Sequence, residues 1–113
     1  MSESQSELGL GPAVLAIIKT RGERGAFTDE ITQRLLALHD KIRLERLATR
    51  PGPTGPDSDR VRAIVGVFRV RGFLKEDSPA KITEKGEAWM KTRLEACYKE
   101  EKSLEGFWSL LKT

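Results

Sequence analysis

One cysteine, one histidine and no long apolar run are what this chain has least of, and each scarcity excludes something. Cys97 stands alone, so no disulfide can close within the chain, and with His39 as the sole imidazole there is no Cys/His spacing of a structural zinc site. An intracellular, reducing setting is expected: cytoplasmic, and nucleoid-associated in a prokaryote. The longest apolar runs, such as Ala13 to Ile18, stop far short of the roughly 18 to 20 residues that span a bilayer. The stretch Met1 to Leu10 is acidic rather than basic, so neither a membrane anchor nor a signal peptide is expected. Catalysis lacks its parts as well. His39 lies in an amphipathic pattern with Asp40 beside it in sequence rather than one turn away, which gives no triad, and it reads as a surface residue. Gly9, Gly11, Gly52 and Gly55 lack the preceding strand and the following Lys-Ser or Lys-Thr pair of a phosphate loop. No catalytic residue, metal or cofactor is therefore expected.

What is present is charge. Of 113 residues, 33% are charged and 38% hydrophobic, enough apolar content for one small folded domain but not for two cores. The net charge of +3 is uneven: residues 31–75 carry ten basic and four acidic side chains, whereas the segments on either side are slightly acidic. An anionic partner would dock on that middle third.

Helical spacing organises most of the chain. Residues 1–11 show no periodicity and read as a tail. Pro12 suits the first turn of a helix over about 12–21, since its missing N–H is not needed there. Thr28 is placed to cap a second helix, whose Ile31, Leu35, Leu38 and Ile42 fall on one face. Its end is open, because Leu44 and Leu47 extend the pattern while Asp40 and Lys41 could start a separate short helix. Residues 50–57 hold three prolines and two glycines and form a loop. A third helix follows from Asp57 or Ser58, with Val61, Ile64, Val65 and Phe68 buried and Gly72 ending it. Residues 73–82 read as a small β-hairpin turning at Asp77-Ser78-Pro79, and Thr83 caps a final helical region reaching about Leu111.

The run from Val61 through Arg71-Gly72-Phe73-Leu74-Lys75, followed by Lys81-Ile82-Thr83-Glu84-Lys85-Gly86, resembles the recognition helix, its exit and the next helix entry of PadR-like and MarR-like transcription regulators. The resemblance covers about residues 12–92. It implies a mainly α fold with a small β-hairpin, a winged helix-turn-helix of residues 12–88 followed by a C-terminal helical dimerisation segment of residues 89–113. It also implies a homodimer that binds double-stranded DNA and regulates transcription. The alternative is a winged-helix module that docks a protein partner without binding DNA.

On the DNA reading the third helix, about 58–71, enters the major groove. Its face opposite the buried stripe carries Asp59, Ala63, Gly66 and Val70, flanked by Arg62 and Arg69 on one side and Arg60 and Arg71 on the other. Arginine suits bidentate contact with guanine or phosphate, and small residues let a helix approach DNA closely. Lys75, Lys81, Lys85 and Arg34 are expected on phosphates. Asp57 and Asp59 at the same end either oppose phosphates or cap the helix and pair with Arg60 or Arg62.

The dimer interface is expected at the C-terminus. Met90, Leu94, Cys97, Glu101, Leu104, Trp108 and Leu111 follow a heptad seam with one polar interruption, and Phe107 lies beside it. The competing arrangement folds this segment back on the first helix of its own chain. A break near Ser103, favoured by Gly106, is also compatible with the pattern.

Overall fold

A computed structural model describes residues 8–39, 41–42, 58–76 and 79–112. Its organising element is α1, Leu10–Arg21, in which Leu10, Pro12 and every residue from Ala13 to Ile18 are buried. A helix that is apolar around its circumference must be enclosed. Accordingly, α1 packs against α2 (Thr28–His39), α3 (Ser58–Arg71), α4 (Glu84–Cys97) and α5 (Glu101–Lys112). The helix begins two residues before the expected Pro12, and Leu8 and Leu10 are buried core residues, which corrects the expectation of a tail reaching residue 11. A short 3₁₀ turn, Gly22–Arg24, leads from α1 towards α2.

The start of α2 differs by one residue from the expected cap. Thr28 is already helical; the Phe27 carbonyl accepts the Ile31 N–H at 3.0 Å, while the Phe27 N–H donates to Glu30 Oε1 at 3.0 Å. Glu30 thus supplies the returning arm of a capping box whose first residue is apolar. Ile31, Leu35 and Leu38 face the core, as the spacing requires. The question of whether the helix continues through Leu44 and Leu47 lies outside the described residues, as does the whole Pro/Gly loop of residues 50–57.

Helix α3 has the expected limits. Val61, Val65 and Phe68 are buried and Ile64 is half-buried. Gly72 ends it at φ 82°, a left-handed conformation that costs a residue without Cβ little. The Gly72 N–H reaches the Arg69 carbonyl at 3.1 Å and the Phe73 N–H the Phe68 carbonyl at 2.8 Å. Beyond it, single antiparallel bridges join Leu74 to Ile82 and Ala26 to Ala80. Among the described residues these bridges do not extend into a sheet, and the expected turn residues Asp77 and Ser78 lie outside them.

Thr83 caps α4 as expected, its Oγ1 accepting the Gly86 N–H at 3.2 Å while donating to the Gly72 carbonyl at 2.6 Å. One residue therefore ties the end of α3 to the start of α4. Rings reinforce the junction: Phe68, Phe73 and Trp89 are mutually in contact, with centroids 5.1 to 5.6 Å apart. The site at which α1 crosses them is Gly11, where a Cβ would stand 2.9 Å from Phe68 Cζ.

The C-terminal region is two helices rather than one. At Tyr98 (φ −108°, ψ 88°) the chain leaves the helix, and Glu101 begins α5. The break comes just before the expected Ser103, which is the third residue of α5. This turn returns Phe107 and Leu111 to α1, where both are 2% exposed, beside Met90 and Leu94 at 0% and 1%. The continuous heptad seam does not form. The expected boundary at 88/89 falls inside α4, and residues on both sides of it share one hydrophobic core.

Candidate nucleic-acid interface

Three buried residues fix the orientation of α3, and its outer face follows from them at about 100° per residue. Arg62, Ala63, Gly66, Val67, Val70 and Arg71 are exposed, Val70 at 88% and Val67 at 49%. Arg60 and Arg69 are half-buried on the two flanks. Small and β-branched side chains therefore occupy the crest of the helix, and guanidinium groups border it. With 14 residues the helix is about 21 Å long, and the arginines from Arg60 to Arg71 spread over about three of its turns. The side chain of Asp59 is not among those described.

The expected phosphate-binding residues divide into three groups. Lys85 is exposed beside the end of α3, its Cδ 3.8 Å from where a Gly72 Cβ would be, and its Nζ lies 6.0 Å from the Phe73 ring centre. Lys75 and Lys81 are joined through the backbone, the Lys75 N–H donating to the Lys81 carbonyl at 2.9 Å. Both line a hollow that also holds Glu23 and the ion pair Lys19–Glu87, 2.5 Å apart, so acidic groups offset part of their charge.

Arg34 belongs elsewhere. Its Nη2 donates to the Leu111 carbonyl at 2.5 Å, placing a cation on the last turn of α5, where the helix leaves its carbonyls without intrahelical donors. It acts inside the fold, 77 residues away in sequence, rather than on the α3 face.

The expected dimer residues separate in the same way. Met90, Leu94, Phe107 and Leu111 are core residues of a single chain, while Cys97, Leu104 and Trp108 remain partly exposed. Burial pushes the Cys97 thiol above its usual range, as befits a packing residue. Next to it, burial and then the Cys97 charge push the Tyr98 hydroxyl up to about 12. The Tyr98 ring packs against Phe107 at 5.4 Å and holds the turn between α4 and α5.

One basic residue escaped the sequence reading. Arg93 lies over the Trp89 ring at 5.1 Å and lines a groove with Arg60 and Arg71. The spacing Trp89 to Arg93, one helical turn, was the available signal.

Family models, curated proteins and solved structures give no match to this chain. The described residues contain no cluster of His, Cys, Asp and Glu suited to a metal ion, and no helix long and apolar enough to cross a membrane.

Proposed function

We propose that this protein is a double-stranded DNA-binding transcription regulator of the winged helix-turn-helix class, with α3 in the major groove. The observation that carries the reading is the outer face of α3, an exposed crest of Ala63, Gly66, Val67 and Val70 bordered by Arg60, Arg62, Arg69 and Arg71. A crest without bulky side chains lets the helix sit deep, apolar methyls suit the thymine C5-methyl, and arginines reach guanine edges or phosphates. Lys85, in the first turn of α4 beside the end of α3, supplies a phosphate contact. The bridges Leu74–Ile82 and Ala26–Ala80, with Thr83 starting α4, support a short wing after α3.

The reading includes a homodimer, since two copies of α3 address two half-sites. Its interface is proposed at the partly exposed Leu104 and Trp108 of α5 rather than along a coiled seam. A second reading, docking of a protein partner through α3, is favoured by the exposure of Val70 and Val67.

Fluorescence anisotropy with mixed-sequence duplex DNA at about 50 and 200 mM salt tests the proposal. Four phosphate contacts predict a loss of affinity on the order of a hundredfold over that range. Replacing Arg62 and Arg71 together by Ala should lower the log-log salt slope by about 2. No binding by folded wild-type protein at either salt would reject DNA and favour the protein-docking reading.

A further inference from the structure

The hollow that holds Lys75 and Lys81 has a volume of about 560 Å³ and gathers charged groups from separate parts of the fold. Lys19 comes from the end of α1, Glu23 from the 3₁₀ turn, Lys75 and Lys81 from the bridged segments, and Glu87 from the first turn of α4; half-buried Ile82 lines it as well. Lys19 and Glu87 satisfy each other in an ion pair of 2.5 Å, which leaves two ammonium groups and one carboxylate. Among the described residues Glu23 forms no ion pair with Lys75 or Lys81, so these three charges stand around the hollow rather than against one another. We propose that the hollow binds a dicarboxylic α-amino acid, with its two carboxylates on Lys75 and Lys81, its ammonium group on Glu23 and its methylenes on Ile82.

Size and charge both select this occupant. The volume falls within the roughly 300 to 1,000 Å³ of small-molecule sites. Two ammonium groups and one carboxylate are complemented by two carboxylates and one ammonium group, each pair a charge-assisted hydrogen bond. A phosphate chain or a simple dicarboxylate would set a negative group against Glu23, and an amine without acidic groups would face two lysines, so like charges disfavour both. Lys75 and Lys81, expected on DNA phosphates, thereby serve this hollow instead. The DNA reading rests on the arginines of α3 and on Lys85, none of which lines it.

Ion pairs open to water are individually weak, so binding is expected in the millimolar range, and amide chemical shifts of isotope-labelled protein are the suitable readout. The protein is titrated at constant ionic strength with potassium L-glutamate, with glutarate, which lacks the ammonium group, and with L-glutamine, which lacks one carboxylate. The proposal expects saturable shifts at the amides of Glu23, Lys75 and Lys81 with L-glutamate, and binding of the other two weaker by about threefold or more. Replacing Lys75 and Lys81 together by Gln should remove the saturable shifts. Glu23→Gln should weaken the binding of L-glutamate but not of glutarate, so that the two bind alike. Glu23 and Lys75 are exposed and Lys81 is half-buried, so these variants keep the core intact. Shifts that rise without saturation in every salt would overturn the proposal. So would glutarate binding wild type as tightly as L-glutamate, or a preference for L-glutamate that survives Glu23→Gln.

Discussion

Gly86 sits in the first turn of α4, and replacing it by Ala sets two effects of opposite sign against each other. Helix propensity favours Ala by about 1 kcal/mol. Against this, the new Cβ would stand 2.2 Å from the Phe73 carbonyl oxygen, 2.9 Å from its carbon and 3.0 Å from its Cα. All three neighbours are backbone, so no rotamer change relieves the contact, and α4 must move away from the segment that follows α3. That movement strains the Thr83 N–H bond to the Phe73 carbonyl (3.0 Å) and the Thr83 Oγ1 bond to the Gly72 carbonyl (2.6 Å). Each contributes about 1 kcal/mol net, and overpacking itself costs about 1 to 3 kcal/mol. Gly86→Ala should therefore destabilise by about 2 to 4 kcal/mol, a large share of the roughly 5 to 15 kcal/mol of a small domain. Urea denaturation followed by circular dichroism measures it, with Gly106→Ala as the control. Gly106 is exposed, has nothing within 4 Å of a Cβ, and should gain about 0.5 to 1 kcal/mol as Ala. If Gly86→Ala were as stable as wild type, the close approach of α4 to Phe73 would be refuted.

Gly66→Ala separates stability from function: with open space around it in α3, the variant should gain about 0.5 to 1 kcal/mol in urea. In anisotropy the same variant should bind DNA more weakly if the crest of α3 approaches the groove floor, and unchanged binding would place DNA on another face. Arg34→Ala removes the cation from the end of α5 and should cost about 1 kcal/mol by urea denaturation while leaving any DNA affinity unchanged. Tyr98 is the only tyrosine, so absorbance near 295 nm titrates it alone, with a midpoint at about 12 in the folded protein against 10.0 for the free group. The folded state thus holds a proton that the unfolded chain releases first, and stability should fall as pH rises from 10 towards 12. Tyr98→Phe should flatten that fall; the same slope in the variant would exclude Tyr98 as its source.

Local signals made much of the architecture legible. Periodicity marked α3 and the buried face of α2, and Thr83 and Gly72 marked ends that need a hydroxyl cap and a left-handed residue. The exposed crest of α3 followed from the same period, because fixing Val61, Val65 and Phe68 inside fixes what points out. Charge counting located the basic middle third, but it could not separate arginines on a surface from Arg34, whose carbonyl partner is 77 residues away.

By itself the sequence determined which segments are helical, where several of them stop, and which residues along each share a face, since propensity, capping and period act over a few residues. The tertiary structure decided what covers each face. Met90, Leu94, Phe107 and Leu111 formed an apolar pattern that either a second chain or α1 could bury, and the turn at Tyr98 gave it to α1. It likewise distinguished Gly86, pressed on the Phe73 backbone, from Gly66 and Gly106 in open space, and it assembled Arg60, Arg71 and Arg93 around one groove. A pattern of apolar residues states that a surface must leave water; which surface it meets depends on contacts between segments far apart in the chain.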